Sequence, residues 1–215
     1  MGKGVLVALA YPEEFVAMPP AWYKSLLEKL GIVNDDKICA GHSALVLINR
    51  EKGEIEYADF GRYITPPGMG RTRTQHTDPE CKFDVKAEFD ASGKIVNVSQ
   101  ILREIEAHPE KTHGQGKLYA SFCYNIDYKK AKDYIMKMNL NGSIPYDPFK
   151  KEASNCARFV YETFIHGMLS RAGRNRLRIG NRITPSPLGI VFYGRNTRYV
   201  YSILNGEVKV YRGSR

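Results

Sequence analysis

A cysteine stands where an apolar helix is predicted to begin, a position at which a thiol becomes a good nucleophile. Residues 154–160 read Ser-Asn-Cys-Ala-Arg-Phe-Val, so Cys156 follows two residues that commonly cap helices. Apolar residues then recur at helical spacing, which predicts a buried helix that ends at Gly173. The unpaired N–H groups and positive dipole end of a helix N-terminus lower a thiol pKa and can also hold an oxyanion.

The candidate base for this thiol is His42, which lies far upstream. It opens the run Gly-His-Ser-Ala-Leu-Val-Leu-Ile at residues 41–48, and the apolar part of that run predicts a strand. Papain-like chemistry needs a thiol on a helix N-terminus, an imidazole on a neighbouring strand and a polar group that fixes the imidazole tautomer. We therefore interpret His42 as the group that deprotonates Cys156.

A carboxylate on the following strand could orient the imidazole. The segment Ile55–Phe60 is predicted to pair with Ser43–Ile48 as an antiparallel hairpin, and strand alternation puts Asp59 on its apolar face. A carboxylate there needs a polar partner, and an imidazole N–H is a suitable one. Two alternatives stay open. Asp59 could simply begin a turn, and Glu56 could be the third member instead.

The other histidines are weaker candidates for the base. His166 lies ten residues further along the cysteine helix, about 15 Å away at about 1.5 Å per residue, and cannot reach the thiol. Predicted turns and loops hold the remaining three, His76, His108 and His113. A purely structural interpretation of the pair is the competing hypothesis: Cys156 would be a small buried residue and His42 a satisfied core histidine.

The rest of the chain mixes strands and helices. Further strands are predicted at Val5–Ala10, Cys81–Phe89, Ile95–Val98, Lys117–Ile126, Tyr199–Leu204 and Glu207–Tyr211, with a short apolar element at Gly189–Tyr193. Helices are predicted at Ala21–Leu30, after a Ser99 cap, and from an Asp127 cap to Asn141-Gly142. The aperiodic segment Tyr63–Glu80 is predicted to be a long loop of the kind that covers a binding site. We expect a single α+β domain over residues 1–215, with an antiparallel sheet packed against helices.

Composition excludes several classes of protein. Of the 215 residues, 43% are hydrophobic and 11% aromatic, which argues against disorder. The first apolar run, Val5–Ala10, is too short to span a membrane and short even for a signal peptide. Ala8-Leu9-Ala10 nevertheless resembles a cleavage site. We expect a cytoplasmic protein without a transmembrane segment and keep export as the alternative.

The four cysteines are too few for a disulfide framework, so a reducing compartment is expected. Cys81 and Cys123 fall on apolar strand faces and are interpreted as core residues. Cys39 and His42 have a Cys-x-x-His spacing, but no second closely spaced pair accompanies them. We therefore expect no metal and no other cofactor.

The net charge of +9 is concentrated near the C-terminus. From Thr163 onward ten Lys and Arg residues oppose a single acid, and the densest part includes Arg174, Arg176 and Arg178. These arginines are either a solvated helix end or a surface that binds phosphate, carboxylate or anionic lipid. No nucleic-acid-binding motif accompanies them, so no nucleic-acid partner is expected.

The order of these motifs resembles that of the circularly permuted NlpC-type papain-like hydrolases, a group that includes the lecithin:retinol acyltransferase-like proteins. In those families a histidine strand precedes the cysteine helix, and an Asn-Cys pair commonly opens that helix. The resemblance implies that Cys156 is the nucleophile, His42 the base and Asp59 the orienting third member. It also suggests Asn155 and Tyr146 as candidates for oxyanion support.

The resemblance implies a thiol hydrolase, peptidase- or amidase-like, or an acyltransferase that acts through a covalent thioester. Its substrate would be a small molecule, a peptide or a lipid acyl group, and Arg174, Arg176 and Arg178 would anchor an anionic one. The alternative is a catalytically silent binding domain of the same fold that holds an anionic lipid or glycan through these arginines. The identity of the substrate, the choice between water and an amine as acyl acceptor, and the oligomeric state stay open.

Overall fold

The computed structural model describes residues 3–13, 41–182 and 184–213, together with the backbone of three two-residue strands between residues 16 and 38. Those three strands, β2 (Val16–Ala17), β3 (Val33–Asn34) and β4 (Lys37–Ile38), form a small sheet of their own. The predicted helix Ala21–Leu30 lies outside the described residues, and so does Cys39.

An antiparallel sheet of eight strands forms the centre of the protein. Its strands are β1 (Lys3–Tyr11), β5 (His42–Asn49), β6 (Ile55–Gly61), β7 (Met69–Thr74), β8 (Leu118–Asp127), β9 (Ile144–Pro145), β10 (Tyr199–Leu204) and β11 (Glu207–Arg212). Their order in the sheet is β11-β10-β8-β1-β5-β6-β7-β9. The central strand β1 is covered on both faces, which explains why its sequence is continuously apolar instead of alternating.

Six α-helices are described around this sheet. They are α1 (Val98–Glu106), α2 (Pro109–Thr112), α3 (Tyr128–Leu140), α4 (Cys156–Gly167), α5 (Arg171–Gly180) and α6 (Pro187–Gly194). Apolar residues of α3, α4 and α6 pack on one face of the sheet. Apolar residues of α1 and of the extended segment 81–89 cover the other face. None of the described helices is long and apolar enough to cross a membrane.

Several predicted elements are confirmed. The strand at Val5–Ala10 is β1, and the hairpin is β5 paired with β6, in a register that sets Ala44 opposite Asp59. Asp127 caps α3 by accepting a hydrogen bond from the backbone N–H of Lys130 at 3.2 Å. The C-terminal hairpin turns at Asn205-Gly206, where both residues have positive φ, as the Asn-Gly pair predicted.

The predicted strand Cys81–Phe89 is wrong, although its pattern is real. Burial alternates along the segment, with Cys81, Phe83 and Ala87 buried between exposed neighbours. The backbone, however, makes little sheet pairing: Ala87 donates to the carbonyl of Gly53, and Phe89 forms an isolated bridge with Ile95. Alternation reports which side of an extended chain is buried, not whether a ladder forms. Ile95–Val98 is likewise not a strand, because α1 begins at Val98 after Asn97 and not after Ser99.

The cysteine helix is shorter than predicted. It ends at Gly167, where an added Cβ would lie 2.9 Å from the Cβ of Ala131 on α3. The chain then leaves the helix to pair with the end of β8, and Leu169 donates to the carbonyl of Asn125 at 3.0 Å. The arginine-rich part is a separate helix, α5, and Gly189–Tyr193 lies inside α6.

The predicted long loop Tyr63–Glu80 is also wrong in part, because it contains β7. Met69–Thr74 pairs with β6 despite the flanking prolines and glycines. This strand brings a side chain into the candidate site that the sequence pattern did not identify.

Candidate active site

Cys156 is the first residue of α4, as predicted, and is 6% exposed. The preceding Asn155 has an extended backbone and caps the helix, since its side-chain oxygen accepts a hydrogen bond from the N–H of Arg158 at 2.7 Å. The side-chain oxygen of Asn155 is therefore occupied as a cap. The backbone N–H of Cys156 lies in the first turn, where helical N–H groups have no intrahelical partner.

His42 is the first residue of β5, and its ring is held close to Cys156. The turn before it needs glycine: Gly41 has φ +67°, and an added Cβ would approach the carbonyl oxygen of Tyr11 to 3.0 Å. The Tyr11 ring stacks beside the imidazole with centroids 6.3 Å apart. His42 and Cys156 lie close enough for each to shift the pKa of the other, and the Nε2 atom of His42 lies 3.5 Å from Oδ2 of Asp59. The structure thus brings together the three residues that the motifs singled out.

Asp59 is fully buried and has several partners besides the histidine. Both of its oxygens accept hydrogen bonds from Arg73, with Nε at 3.1 Å from Oδ1 and a terminal nitrogen at 2.6 Å from Oδ2. The hydroxyls of Tyr57 and Tyr63 each donate to Oδ2 at 2.9 Å. Burial alone would raise the pKa of Asp59, but His42 and Arg73 lower it to about 2. The carboxylate therefore stays ionised at the heart of the site.

The pKa values of the Cys156 thiol and the His42 imidazole are shifted in opposite directions. Burial alone would lower the pKa of His42, yet Asp59 and Cys156 raise it well above its ordinary value. Burial alone would raise the pKa of Cys156, but His42, the backbone N–H of Ser43 and the hydroxyl of Tyr146 lower it. Both shifts favour the same charge state, a thiolate beside an imidazolium, which is the reactive form of a cysteine nucleophile.

The other two cysteines described are unreactive by the same criteria. Cys81 and Cys123 are buried, as expected, and burial raises the pKa of Cys81 to about 12 and that of Cys123 to about 11. Neither has a histidine beside it that offsets this burial. The contrast with Cys156 shows that burial by itself does not activate a thiol.

Arg73 is the functional residue that the sequence did not reveal. It is 1% exposed, lies directly opposite Asp59 in the register of β6 and β7, and its guanidinium stacks 3.7 Å from the centre of the Tyr63 ring. The terminal nitrogen that donates to Asp59 also donates to the carbonyl of Lys111 at 3.0 Å. A correctly predicted β7 would have exposed the signal, because opposite charges are favoured at facing positions of neighbouring strands.

Tyr146 lies where its hydroxyl can act on the sulfur. The hydroxyl oxygen is 3.8 Å from Sγ of Cys156, and the ring stacks on Phe60 with centroids 5.9 Å apart. The guanidinium of Arg62 lies 4.6 Å from the centre of the same ring. The hydroxyl of Tyr146 therefore adjoins the thiol, and a positive charge lies over the Tyr146 ring.

Other candidates from the sequence are placed elsewhere. Glu56 accepts hydrogen bonds from Tyr128 and Lys132 of α3, so its partners are on the helix and not on the imidazole. His113, interpreted as part of a surface turn, packs against the ring of Tyr63 with centroids 5.1 Å apart. Burial and the charge of Arg73 lower its pKa, which puts His113 at the border of the site.

None of the contacts made by the three arginines that were expected to bind substrate places them near the Cys156 thiol. Arg174 donates to the carbonyl of Met168, which follows the far end of α4, about 18 Å along the helix from Cys156 at about 1.5 Å per residue. Arg176 donates to the carbonyls of Tyr193 and Arg195, and Arg178 hydrogen-bonds Tyr161. These guanidinium groups complete helix ends and tie α5 to its neighbours.

Comparisons with known proteins agree with an α+β fold of this kind. A family model described as type VI secretion system effector TseH-like matches residues 6–172. Among solved structures, a crystal structure of the type VI secretion system effector TseH matches with a TM-score of 0.65, covering 97% of this chain and 98% of that chain at 16% identity. At that identity the likeness shows a shared fold. No curated protein matches the sequence.

Proposed function

The chain belongs to the TseH-like family of type VI secretion system effectors, and we propose that its activity in that role is thiol-dependent hydrolysis. Such an effector acts after it has left the cell that makes it, which favours the export alternative over a cytoplasmic place of action. One observation carries the enzymatic part of the proposal: Cys156 stands at a helix N-terminus beside His42, whose Nε2 is 3.5 Å from a buried carboxylate.

The first half-reaction follows from these positions. The Cys156 thiolate attacks a carbonyl carbon, a new S–C bond forms, and the carbonyl oxygen becomes an oxyanion near the backbone N–H of Cys156 and the hydroxyl of Tyr146. The imidazolium of His42 then gives its proton to the departing amine or alkoxide as the bond to that group breaks. The product is a thioester on Cys156.

The second half-reaction releases the acyl group. His42, now neutral, accepts a proton from a water molecule as that water attacks the thioester carbon. The S–C bond breaks, the carboxylic acid leaves, and the thiolate–imidazolium pair is restored. Asp59 fixes the ring throughout and stabilises its charged form, as the third member of such a triad does. The sequence order of β5, β6 and α4 supports assignment to the circularly permuted, NlpC-type branch of papain-like folds.

The decisive experiment measures the reactivity of each thiol before any substrate is known. A Cys39→Ser background removes the cysteine that lies outside the described residues. Brief treatment with iodoacetamide at pH 6, followed by intact mass and peptide mapping, should give one adduct, at Cys156. Cys123→Ala is the matched control and should leave the adduct unchanged, whereas Cys156→Ala should abolish it. Labelling of Cys81 or Cys123 instead, or no labelling, would contradict the proposal.

Turnover is then tested with p-nitrophenyl acetate, an activated ester. A hydrolase of this mechanism should release a burst of p-nitrophenol and carry a transient acetyl group on Cys156, visible by intact mass. Cys156→Ala should show neither. A catalytically silent binding domain would show no acetyl adduct in the unmodified protein.

A further inference from the structure

A groove of about 460 Å³ lies away from the candidate active site, beside strands β8 and β10. Its floor residue Phe122 belongs to the apolar cluster on the face of the sheet opposite the cysteine helix. Val7 of β1 pairs with Phe122, whereas Tyr11 of β1 pairs with His42, so the two sites are also separated by about 13 Å along the strand. The volume falls within the ordinary range for small-ligand sites.

The floor of this groove is aromatic. The ring of Phe122 lies 6.3 Å from that of Tyr124 and 5.5 Å from that of Tyr201, measured between centroids. Tyr199, at the rim, is 44% exposed. Tyr124, Tyr199 and Tyr201 all line this groove, and burial followed by the charges of Tyr124 and Tyr199 raises the pKa of Tyr201. Flat apolar rings bordered by hydroxyls suit a ligand that is itself apolar on one face and polar at its edge.

Three cations surround the aromatic floor, Arg50, Lys94 and Arg198, and none of the residues lining the groove is acidic. Arg50 is fixed in place, since it donates to the carbonyl of Gly93 at 2.8 Å. Within the described part of the chain, no carboxylate lies within ion-pair distance of the side chains of Lys94 or Arg198. The neighbouring Asp90 is used locally, because it accepts from the backbone N–H of Lys94 at 2.9 Å and closes the turn.

We propose that this groove binds a sugar ring that carries a phosphate or carboxylate group. The aromatic floor would pack against the apolar face of the ring, and the tyrosine hydroxyls would hydrogen-bond to its hydroxyls. Arg50, Lys94 and Arg198 would hold the anion. This proposal is separate from the anion-binding role that the sequence suggested for the arginines of α5, which stays a prediction. This site does not depend on the chemistry of Cys156, so its test is independent of the proposed hydrolysis.

Four small probes separate the features of the ligand: glucose 6-phosphate, glucuronate, glucose and inorganic phosphate. Titration into isotope-labelled protein, followed by NMR, should shift the backbone amides of residues 92–95, 122–124 and 196–201. Glucose 6-phosphate or glucuronate should bind at least about tenfold more tightly than glucose or phosphate alone, because only they satisfy both rings and cations. Added salt should weaken their binding, since the cations are exposed.

Variants locate the site. Lys94→Gln with Arg198→Gln should weaken binding of the charged sugar about tenfold, and Tyr199→Ala should weaken it severalfold. Lys209→Gln, a matched loss of an exposed charge on β11, should have no effect. Unchanged backbone amide shifts away from the groove show that each variant is folded. Equal affinity for phosphate alone, amide shifts confined to other surfaces, or binding that survives both groove variants would each overturn the proposal, as would a failure of both charged sugars to bind.

Discussion

Arginine occupies two contrasting settings in this protein. Arg73 is buried between strands and neutralises a buried carboxylate, Asp59, at the centre of the candidate site. Arg174 and Arg176 of α5 lie partly or fully exposed and donate to backbone carbonyls. The dense arginine cluster was conspicuous in the sequence, yet Arg73 of β7 is the arginine that contacts Asp59 of the candidate triad.

The difference has a physical cause. A guanidinium group in solvent keeps its hydration and can add a hydrogen bond at little cost or gain. A guanidinium inside the protein is tolerated only with a carboxylate in good geometry, and each partner then depends on the other. A dense group of charges in the sequence therefore indicates a solvent-exposed surface, whereas a charge on the buried face of a strand indicates a charged partner.

The strongest test of this contrast is Arg73→Met. The substitution leaves Asp59 buried without its main partner, and we expect a loss of about 3–5 kcal/mol in the free energy of unfolding, measured in urea. Arg176→Met is the matched control and should cost less than about 1 kcal/mol. Adding Asp59→Asn to Arg73→Met should recover part of the loss. Equal effects at positions 73 and 176 would remove the distinction between the two settings.

The next test concerns the charge of the thiol–imidazole pair. An ordinary thiol has a pKa of about 8.5, so only a small fraction is thiolate at pH 6. Because His42 lowers the pKa of Cys156, we expect His42→Ala to slow iodoacetamide alkylation at pH 6 roughly a hundredfold. The rate at pH 9.5 should differ far less between the two proteins. A pH profile that is unchanged by His42→Ala would show that the imidazole does not activate the thiol.

Low pH should lower the stability of the folded protein through protonation of Asp59. Its pKa is about 2 in the folded protein and about 3.9 when unfolded, so the unfolded chain takes up this proton first. The stabilisation is present above about pH 4 and is lost as the pH falls through about 2, an effect on the order of 2 kcal/mol. Urea unfolding midpoints between pH 5 and pH 2 measure it. In Asp59→Asn the decline over this range should be shallower, and an identical slope would assign it to other carboxylates.

The smallest effect is expected for the arginines of α5. Arg174→Gln and Arg178→Gln should each lower the free energy of unfolding by less than about 1 kcal/mol, since a neutral side chain can still donate a hydrogen bond. Neither should change the alkylation rate of Cys156. A selective loss of reactivity without a loss of stability would return these residues to the active site.

The main elements of the candidate site could be predicted because local sequence patterns indicate each of them. Asn155 and Cys156 mark a helix start, and the run after His42 marks a strand, so the ends that meet were visible. Arg73 could not be predicted as part of the candidate site, because the prolines and glycine before β7 suggested a loop. Its pairing with Asp59 depends on a strand register that local sequence does not encode.

Most strands and helices of the fold could also be predicted from local sequence, but some of their boundaries could not. Periodicity found the strands that are paired on both sides and the helix that Asp127 caps. It misassigned Cys81–Phe89 because burial on one side has a period of two with or without a neighbouring strand. It also ran α4 on to Gly173, since hydrophobic spacing continues past Gly167 while the backbone turns to pair with β8.

His42 and Cys156 are more than a hundred positions apart in the chain, and each is the first residue of its element. No local segment can form their contact, so the loop between them must close and α4 must dock before the thiol gains its acidity. At pH 6 a partly folded chain should therefore alkylate at Cys156 only as slowly as an ordinary thiol, even if its hairpins and helices have formed. The rate at which fast alkylation recovers during refolding would time the last assembly step, and this measurement needs no known substrate.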